Sequence, residues 1–285
     1  MRIGIAGTVS RAAVLSGVLL VVALCVAQGA HAFVYWANTG TTIGRANPNG
    51  SAVKKNFLVS NQACGVAVDR THIYWTGNAN GIAGAGTIGR AKLDGSARQP
   101  NFITGADNPC GLAVGGGHIY WSNTAPTGGI GRAKLNGSGV DRTFVPTDGY
   151  ACGVAVDSSH LYWGNRDAGT IGRAKLNGKR ASVRQGFIRG GTDICGVAVN
   201  RAHVYWADFD ANSIGRANLN GKAASVNKRF IPGASDPCGL AVDRAHIYWA
   251  NSSSGAIGRA KLNGTGVNQS LIPANNPCWV AVDVP

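Results

Sequence analysis

An all-β fold, a six-bladed β-propeller of four-stranded blades, is predicted by three observations in the 285-residue sequence. One string, clearest as CGVAVDRTHIYWTG…TIGRAKLDGS…NFI from Cys64 to Ile103, recurs along the chain. Its Tyr-Trp pairs end at Trp36, Trp75, Trp121, Trp163, Trp206 and Trp249, a period of 39 to 46 residues, which suits an array of four-stranded units. The chain also holds 42 glycines and many Asx-Gly pairs, a composition of tight turns rather than helices.

Each strand can be justified in order. Strand A is CGVAVD, whose period-two alternation puts Cys, Val and Val on one face and Gly, Ala and Asp on the other. A short turn such as Asp69-Arg70-Thr71 leads into strand B, HIYW. Strand C is IGRAKL, and it runs into a hairpin signal at Asp94-Gly95, Asn136-Gly137, Asn177-Gly178, Asn220-Gly221 and Asn263-Gly264. Strand D carries the endings FLV, FIT, FVP, FIR, FIP and LIP. Apolar residues on both faces fit blades packed between two neighbours.

The first repeat opens in strand B at Phe33-Val34-Tyr35-Trp36, and the last residues, Cys278 to Asp283, form a lone strand A. One blade is therefore expected to be split, its inner strand coming from the C-terminal end and its outer three from the N-terminal blade. That pairing closes the ring and leaves no sheet edge open. The propeller is assigned to residues 33–285.

Residues 1–32 read as a secretory signal. Arg2 and Arg11 precede the apolar run Ala12 to Val26, and Ala30-His31-Ala32 has the small-x-small form of a cleavage site, placing the cut after Ala32. The run is shorter than the ~20 residues of a spanning helix, so no stable membrane span is expected in the mature form. Secretion or residence in the cell envelope, as a monomer, follows as the expectation.

At IYWTG, GLAVD and IGRAKLDGS the chain resembles the YWTD repeats of the low-density lipoprotein receptor class B type, which form six-bladed propellers with this strand order. The likeness covers residues 33–285. In that family the last Asp of YWTD ties neighbouring blades together. Here the position holds Asn38, Gly77, Asn123, Asn165, Asp208 and Asn251, and Asn keeps the capacity to hydrogen-bond. Strings such as Ser213-Ile214-Gly215-Arg216 also resemble virginiamycin B lyase-like propellers, which are enzymes.

Residues present in every blade are explained first by architecture. His72, His118, His160, His203 and His246 all stand two residues before the Tyr-Trp pair, which points to a structural hydrogen bond rather than to catalysis or metal binding. Arg45, Arg90, Arg132, Arg173, Arg216 and Arg259 recur in strand C. Strand A ends in Asp69, Asp157, Asp243 or Asp283, with Asn200 in a fifth blade, so a ladder of Arg-Asp pairs is expected.

Processing would leave six cysteines, Cys64, Cys110, Cys152, Cys195, Cys238 and Cys278, one at the head of each strand A. Three readings stay open: neighbour disulfides if the channel is narrow, buried thiols acting as small hydrophobes, or a metal-thiolate ring.

The chain carries 27 Lys and Arg against 13 acidic residues, every one of them Asp. Without Arg2 and Arg11 the net charge stays near +12. Export argues against nucleic acid, leaving an unknown protein, or an anionic glycan or cell-wall polymer, as the partner.

Departures from the repeat gather in the D-to-A and B-to-C loops of one face. The B-to-C loop of the second blade is lengthened from Asn78 to Gly86. Tyr150, Arg166, Asp167, Asp208, Phe209, Asp210 and Trp279, the last in place of a repeat Gly, are the candidate ligand-binding residues, since aromatics beside Arg and Asp make binding hot spots. Asn108, Asp193, Asp236 and Asn276 stand two residues before a strand A Cys and are candidate Ca²⁺ ligands. Gluconolactonase-like propellers, which hold a metal in the channel, use a Glu among the ligands, and the lyases resemble a His and Glu arrangement. This chain has no Glu, and no cofactor is otherwise expected. A non-enzymatic exported binding module is the first expectation, with a metal-dependent lyase or hydrolase at the channel mouth as the alternative.

Overall fold

A computed structural model describes residues 32–60, 62–77, 84–124 and 128–283. Residues 1–31, where the sequence predicts a secretory signal, and Asn78 to Ala83 of the lengthened loop lie outside the described residues. Six antiparallel four-stranded sheets are arranged as blades. Blade one joins β24 (Pro277–Val282) to β1 (Val34–Asn38), β2 (Thr42–Ala46) and β3 (Lys54–Val59). Blade two is β4 (Ala63–Val68), β5 (His72–Gly77), β6 (Gly86–Lys92) and β7 (Gln99–Ala106). Blade three is β8 (Pro109–Gly115), β9 (His118–Asn123), β10 (Gly129–Lys134) and β11 (Asp141–Pro146). Blade four is β12 (Ala151–Val156), β13 (His160–Asn165), β14 (Thr170–Lys175) and β15 (Arg184–Arg189). Blade five is β16 (Ile194–Val199), β17 (His203–Asp208), β18 (Ser213–Asn218) and β19 (Asn227–Pro232). Blade six is β20 (Pro237–Val242), β21 (His246–Asn251), β22 (Ala256–Lys261) and β23 (Asn268–Pro273).

The ring closes as the split repeat predicts. β24 pairs with β1 in the register Val34 to Val282, Tyr35 to Ala281, Trp36 to Val280 and Ala37 to Trp279. Asp283 N–H adds a bond to Phe33 C=O at 2.9 Å.

The core is built between blades from the repeated Tyr-Trp pair, all twelve rings of which are essentially unexposed. Each ring removes 150–250 Å² from water, roughly 4–6 kcal/mol by area as an upper bound. Every repeat Trp lies over the strand C Gly opposite it. A Cβ on Gly44 would sit 2.1 Å from the Trp36 ring, and the same overlap recurs in all six blades. Only Gly fits there.

The conserved-looking charges of the repeat turn out to be structural. Each strand C guanidinium reaches the next blade: Arg45 to Leu93 C=O, Arg90 to Leu135, Arg132 to Leu176, Arg173 to Leu219, Arg216 to Leu262 and Arg259 to Pro48, at 2.7–3.5 Å. Five of them also stack on the strand D Phe of their own blade at 3.7–4.1 Å, Arg216 on Phe230 for example. This replaces the expected Arg-Asp ladder. The strand A carboxylates are used locally instead: Asp69 Oδ1 accepts the N–H groups of Thr71 and His72, and its Oδ2 accepts the Tyr74 hydroxyl at 2.9 Å. Asp157 and Asp243 repeat the pattern. A backbone carbonyl is the better partner for a guanidinium here because the Asp is already saturated by its own turn.

The histidines start strand B. The backbone N–H groups of His72, His160, His203 and His246 donate to the turn Asp or Asn, His118 instead places Nδ1 2.9 Å from Gly116 C=O, and all five rings pack on the following Tyr at centroid distances of 5.9–6.2 Å.

Candidate site on the loop-rich face

The D-to-A linkers and B-to-C loops meet on the face where the inner strands begin. In the five blades other than blade two, the B-to-C loop is docked by one N–H bond to the linker that enters its blade: Thr39 to Asn276 C=O, Thr124 to Asn108, Arg166 to Tyr150, Phe209 to Asp193 and Ser252 to Asp236. The side chain at the end of strand B holds the same linker. Asn123 Oδ1 accepts from Asp107 N–H, Asn251 Oδ1 from Ser235 N–H and Asn38 Oδ1 from Asn275 N–H. Asp208, 2% exposed, accepts from the amides of Thr192 and Asp193 and from the Thr192 hydroxyl. The linker crosses from the preceding blade, so these residues do join neighbouring blades. Asp208 serves this framework.

The four oxygen-rich linker positions have separate occupations. Asn108, Asp236 and Asn276 adopt φ of +51°, +48° and +50°, the left-handed region that Asn and Asp tolerate best. That backbone requirement accounts for the residue types. Asn108 Nδ2 donates to Thr124, Asp236 accepts the Ser253 hydroxyl, and Asp193 pairs with Arg166. Among the described residues, no group of three or more His, Cys, Asp or Glu is placed to hold a metal ion.

Trp279 does not lie on the loop surface. It is 2% exposed, and its ring reaches across the channel: a Cβ on Gly153, in the opposite blade, would sit 2.9 Å from Trp279 Cη2. A large side chain is accommodated because the other five inner strands carry Gly at this level. Above it the cysteines gather. Cys64 and Cys110 form a disulfide, and Sγ atoms approach at 3.0 Å for Cys195–Cys238, 3.4 Å for Cys238–Cys278 and 3.7 Å for Cys64–Cys278. Cys152, Cys195, Cys238 and Cys278 are free. Neighbouring Cys195 and Cys278 pull the Cys238 thiol well down, with help from the nearby Arg166 charge, while Cys195 is pushed up by Cys152 first and Cys238 second, and Cys278 by Cys238.

The predicted residues that do come together are Tyr150, Arg166, Asp193 and Phe209, at the seam between blades four and five. Arg166 donates from Nε and Nη2 to the two carboxylate oxygens of Asp193 at 2.8 and 3.0 Å. Its Cζ lies 5.9 Å from the Tyr150 ring centre and 5.8 Å from that of Phe209. The Asp193 bonds raise the guanidinium pKa further, so its charge is fixed. The Arg166 side chain remains 38% exposed against 14% for Asp193. Tyr150 rests on the apolar cluster that includes the cysteines and Trp279. Beside them a pocket of about 220 Å³ is lined by Asp148, Tyr150, Asn165, Arg166, Asp167 and Ala168. Asp148 was missed in the sequence reading, although its place in the Thr147-Asp148-Gly149-Tyr150 linker is a departure from the repeat. Asp210 is exposed at the rim.

Larger clefts open on the opposite face, about 570 Å³ between blades four and five, 500 Å³ between five and six and 270 Å³ between six and one. They recur from blade to blade around the A-to-B turns, which marks them as a product of the repeat.

No protein-family model and no curated protein matches the sequence. Solved structures do match in fold. A chain of the nidogen/laminin complex has a TM-score of 0.72 at 20% identity, covering 88% of this chain and 98% of that one. A streptogramin B lyase structure gives 0.57 at 17% identity, covering 87% and 83%. An inactive histidine-to-alanine variant of virginiamycin B lyase from Staphylococcus aureus, with quinupristin, gives 0.53 at 18% identity, covering 79% and 75%. By fold the chain is a six-bladed, four-stranded β-propeller of the kind seen in YWTD-repeat and streptogramin lyase propellers.

Proposed function

We propose that the chain is an exported, non-enzymatic binding module that takes an acidic glycan on its loop-rich face, at the seam between blades four and five. The observation that carries this reading is the Arg166 guanidinium, clamped by Asp193 between the Tyr150 and Phe209 rings and still exposed. A fixed cation flanked by aromatic faces suits an anionic sugar: the rings cover the apolar sugar face and the guanidinium meets the acid. The excess of basic over acidic residues, 27 to 13, supports the same polarity of partner. Complex formation by the nidogen/laminin neighbour supports a binding role in general.

The Asp groups of this face support a binding rather than a catalytic role, because Asp193, Asp208 and Asp236 are each engaged in holding a loop. The five repeat histidines pack on tyrosines at the other end of the blades. Export rests on residues 1–32; N-terminal sequencing of the released protein should begin at Phe33.

The test is a screen of the purified full chain against acidic and neutral glycans, repeated with Arg166→Ala and Phe209→Ala. Retention of acidic glycans that both substitutions weaken at least tenfold, with the melting temperature kept, is the expected result. Absence of glycan binding, or binding indifferent to both changes, overturns the reading. Conversion of quinupristin by the chain would favour the lyase alternative.

A further inference from the structure

We propose that the six repeat cysteines close into three inter-blade disulfides in a single register: Cys64–Cys110, Cys152–Cys195 and Cys238–Cys278. The inner strands approach one another closely at five of the six steps of the ring. A Cβ on Gly65, Gly111, Gly153, Gly196 or Gly239 would lie 2.0, 2.5, 2.5, 2.3 or 2.9 Å from the carbonyl oxygen of the next Cys. The one bridge already formed, between blades two and three, has Cα atoms 5.0 Å apart, inside the range disulfides use. Further round the ring the sulfurs of Cys238 and Cys278 stand 3.4 Å apart, and those of Cys195 and Cys238 3.0 Å apart.

The register follows from the closed ring. Six members on a circle can all pair with neighbours in only two ways, and Cys64–Cys110 excludes the way that uses Cys110–Cys152, Cys195–Cys238 and Cys64–Cys278. The 3.0 Å contact between Cys195 and Cys238 belongs to the excluded way. A bond there strands Cys152 and Cys278 on blades four and one, which face each other across the ring. The inner strands of Cys152 and Cys195 are adjacent, a Cβ on Gly153 falling 2.5 Å from the Cys195 carbonyl oxygen, so turning the Cys195 sulfur from one neighbour to the other restores the full set. Each blade then contributes to one bridge, and Cys238–Cys278 fastens the closing strand β24 covalently to blade six.

Each bridge forms by two exchanges with an external disulfide such as oxidised glutathione. One Cys thiolate attacks the external disulfide and expels a glutathione thiolate. The neighbouring thiolate then attacks the mixed disulfide and expels the second. Two cysteine thiols are oxidised, one external disulfide is reduced to two thiols, and the two protons end on those thiols. Cys152, Cys195 and Cys238 are buried in the closed ring, so the exchange accompanies folding.

The experiment is refolding of the reduced full chain in a glutathione redox buffer, alkylation in denaturant without reduction, and peptide mapping by mass spectrometry. A parallel sample refolded with reductant alone gives the fully alkylatable reference. The expected map shows linked peptides Cys64–Cys110, Cys152–Cys195 and Cys238–Cys278, with alkylation confined to Cys25 of the N-terminal segment. Alkylated Cys152, Cys195, Cys238 or Cys278, or a Cys195–Cys238 or Cys110–Cys152 peptide, overturns the proposal. Because refolding is carried out in vitro, its outcome is independent of whether the chain is exported.

Discussion

The indole of Trp279, on the inner strand of blade one, touches the backbone at Gly153 on the inner strand of blade four. An added Cβ at Gly153 would lie 2.9 Å from Trp279 Cη2 and 2.5 Å from the Cys195 carbonyl oxygen. One side chain thereby spans the channel and fills it beneath the cysteines.

Both sides of that contact are expected to be intolerant. Gly153→Ala should cost about 1–3 kcal/mol, since the new methyl meets a wedged ring on one side and backbone on the other. Trp279→Ala should cost about 3–5 kcal/mol through the cavity it leaves. Denaturant unfolding of the two variants measures both, and a Gly153→Ala change below about 0.5 kcal/mol would show that the channel is looser than described.

The strand C arginine ring should be specific for guanidinium. In Arg216→Lys the ammonium cannot both stack flat on Phe230, now 3.9 Å from the guanidinium carbon, and reach Leu262 C=O at 3.2 Å. A loss of about 1–2 kcal/mol is expected, in line with a cation–π contact plus a charged hydrogen bond. Equal stability of the Lys variant in a denaturant titration would count against the inter-blade role.

Stability should fall steeply at alkaline pH. Burial raises the Tyr35 phenol from 10.0 to about 12, and Tyr74, Tyr120, Tyr162, Tyr205 and Tyr248 shift in the same direction for the same first cause. A raised folded pKa means that the folded state holds the proton longer. The stabilisation is therefore complete below the unfolded value of 10.0 and is lost as pH rises through about 12. Melting temperatures should drop from pH 10 upward, with tyrosinate absorbance appearing together with unfolding. A melting temperature unchanged between pH 10 and 12 would contradict the burial of these rings.

Most of the fold is legible in the sequence because every blade repeats the same physical solution. Tyr and Trp mark strand B, Gly in IGRA marks the space under the Trp ring, and the orphan strand at Cys278 names its own partner. The site is less legible because one residue type answers to several causes. Asn108, Asp236 and Asn276 look like oxygen ligands, yet a left-handed backbone selects the same residues. Trp279 looks like an exposed anchor, yet its strand position places it in the channel. The Arg-Phe stack can be read afterwards: Phe57, Phe102, Phe144, Phe187 and Phe230 accompany stacked arginines, and Leu271 stands in blade six, where Arg259 reaches Pro48. Arg166 and Asp193 lie on loops of different blades, 27 residues apart, and only closure of the seam brings them together.

Closure by β24 underlies the channel plug, the cysteine ring and the loop-face seam. Its most direct test is thermal melting of the chain ending at Asn276 beside the full chain. Loss of β24 opens blade one, leaves β1 as an unpaired edge and removes Trp279 from the channel. We expect the shortened chain to lose the cooperative transition of the full chain or to melt well below it. An unchanged transition at the same temperature would contradict the closed ring.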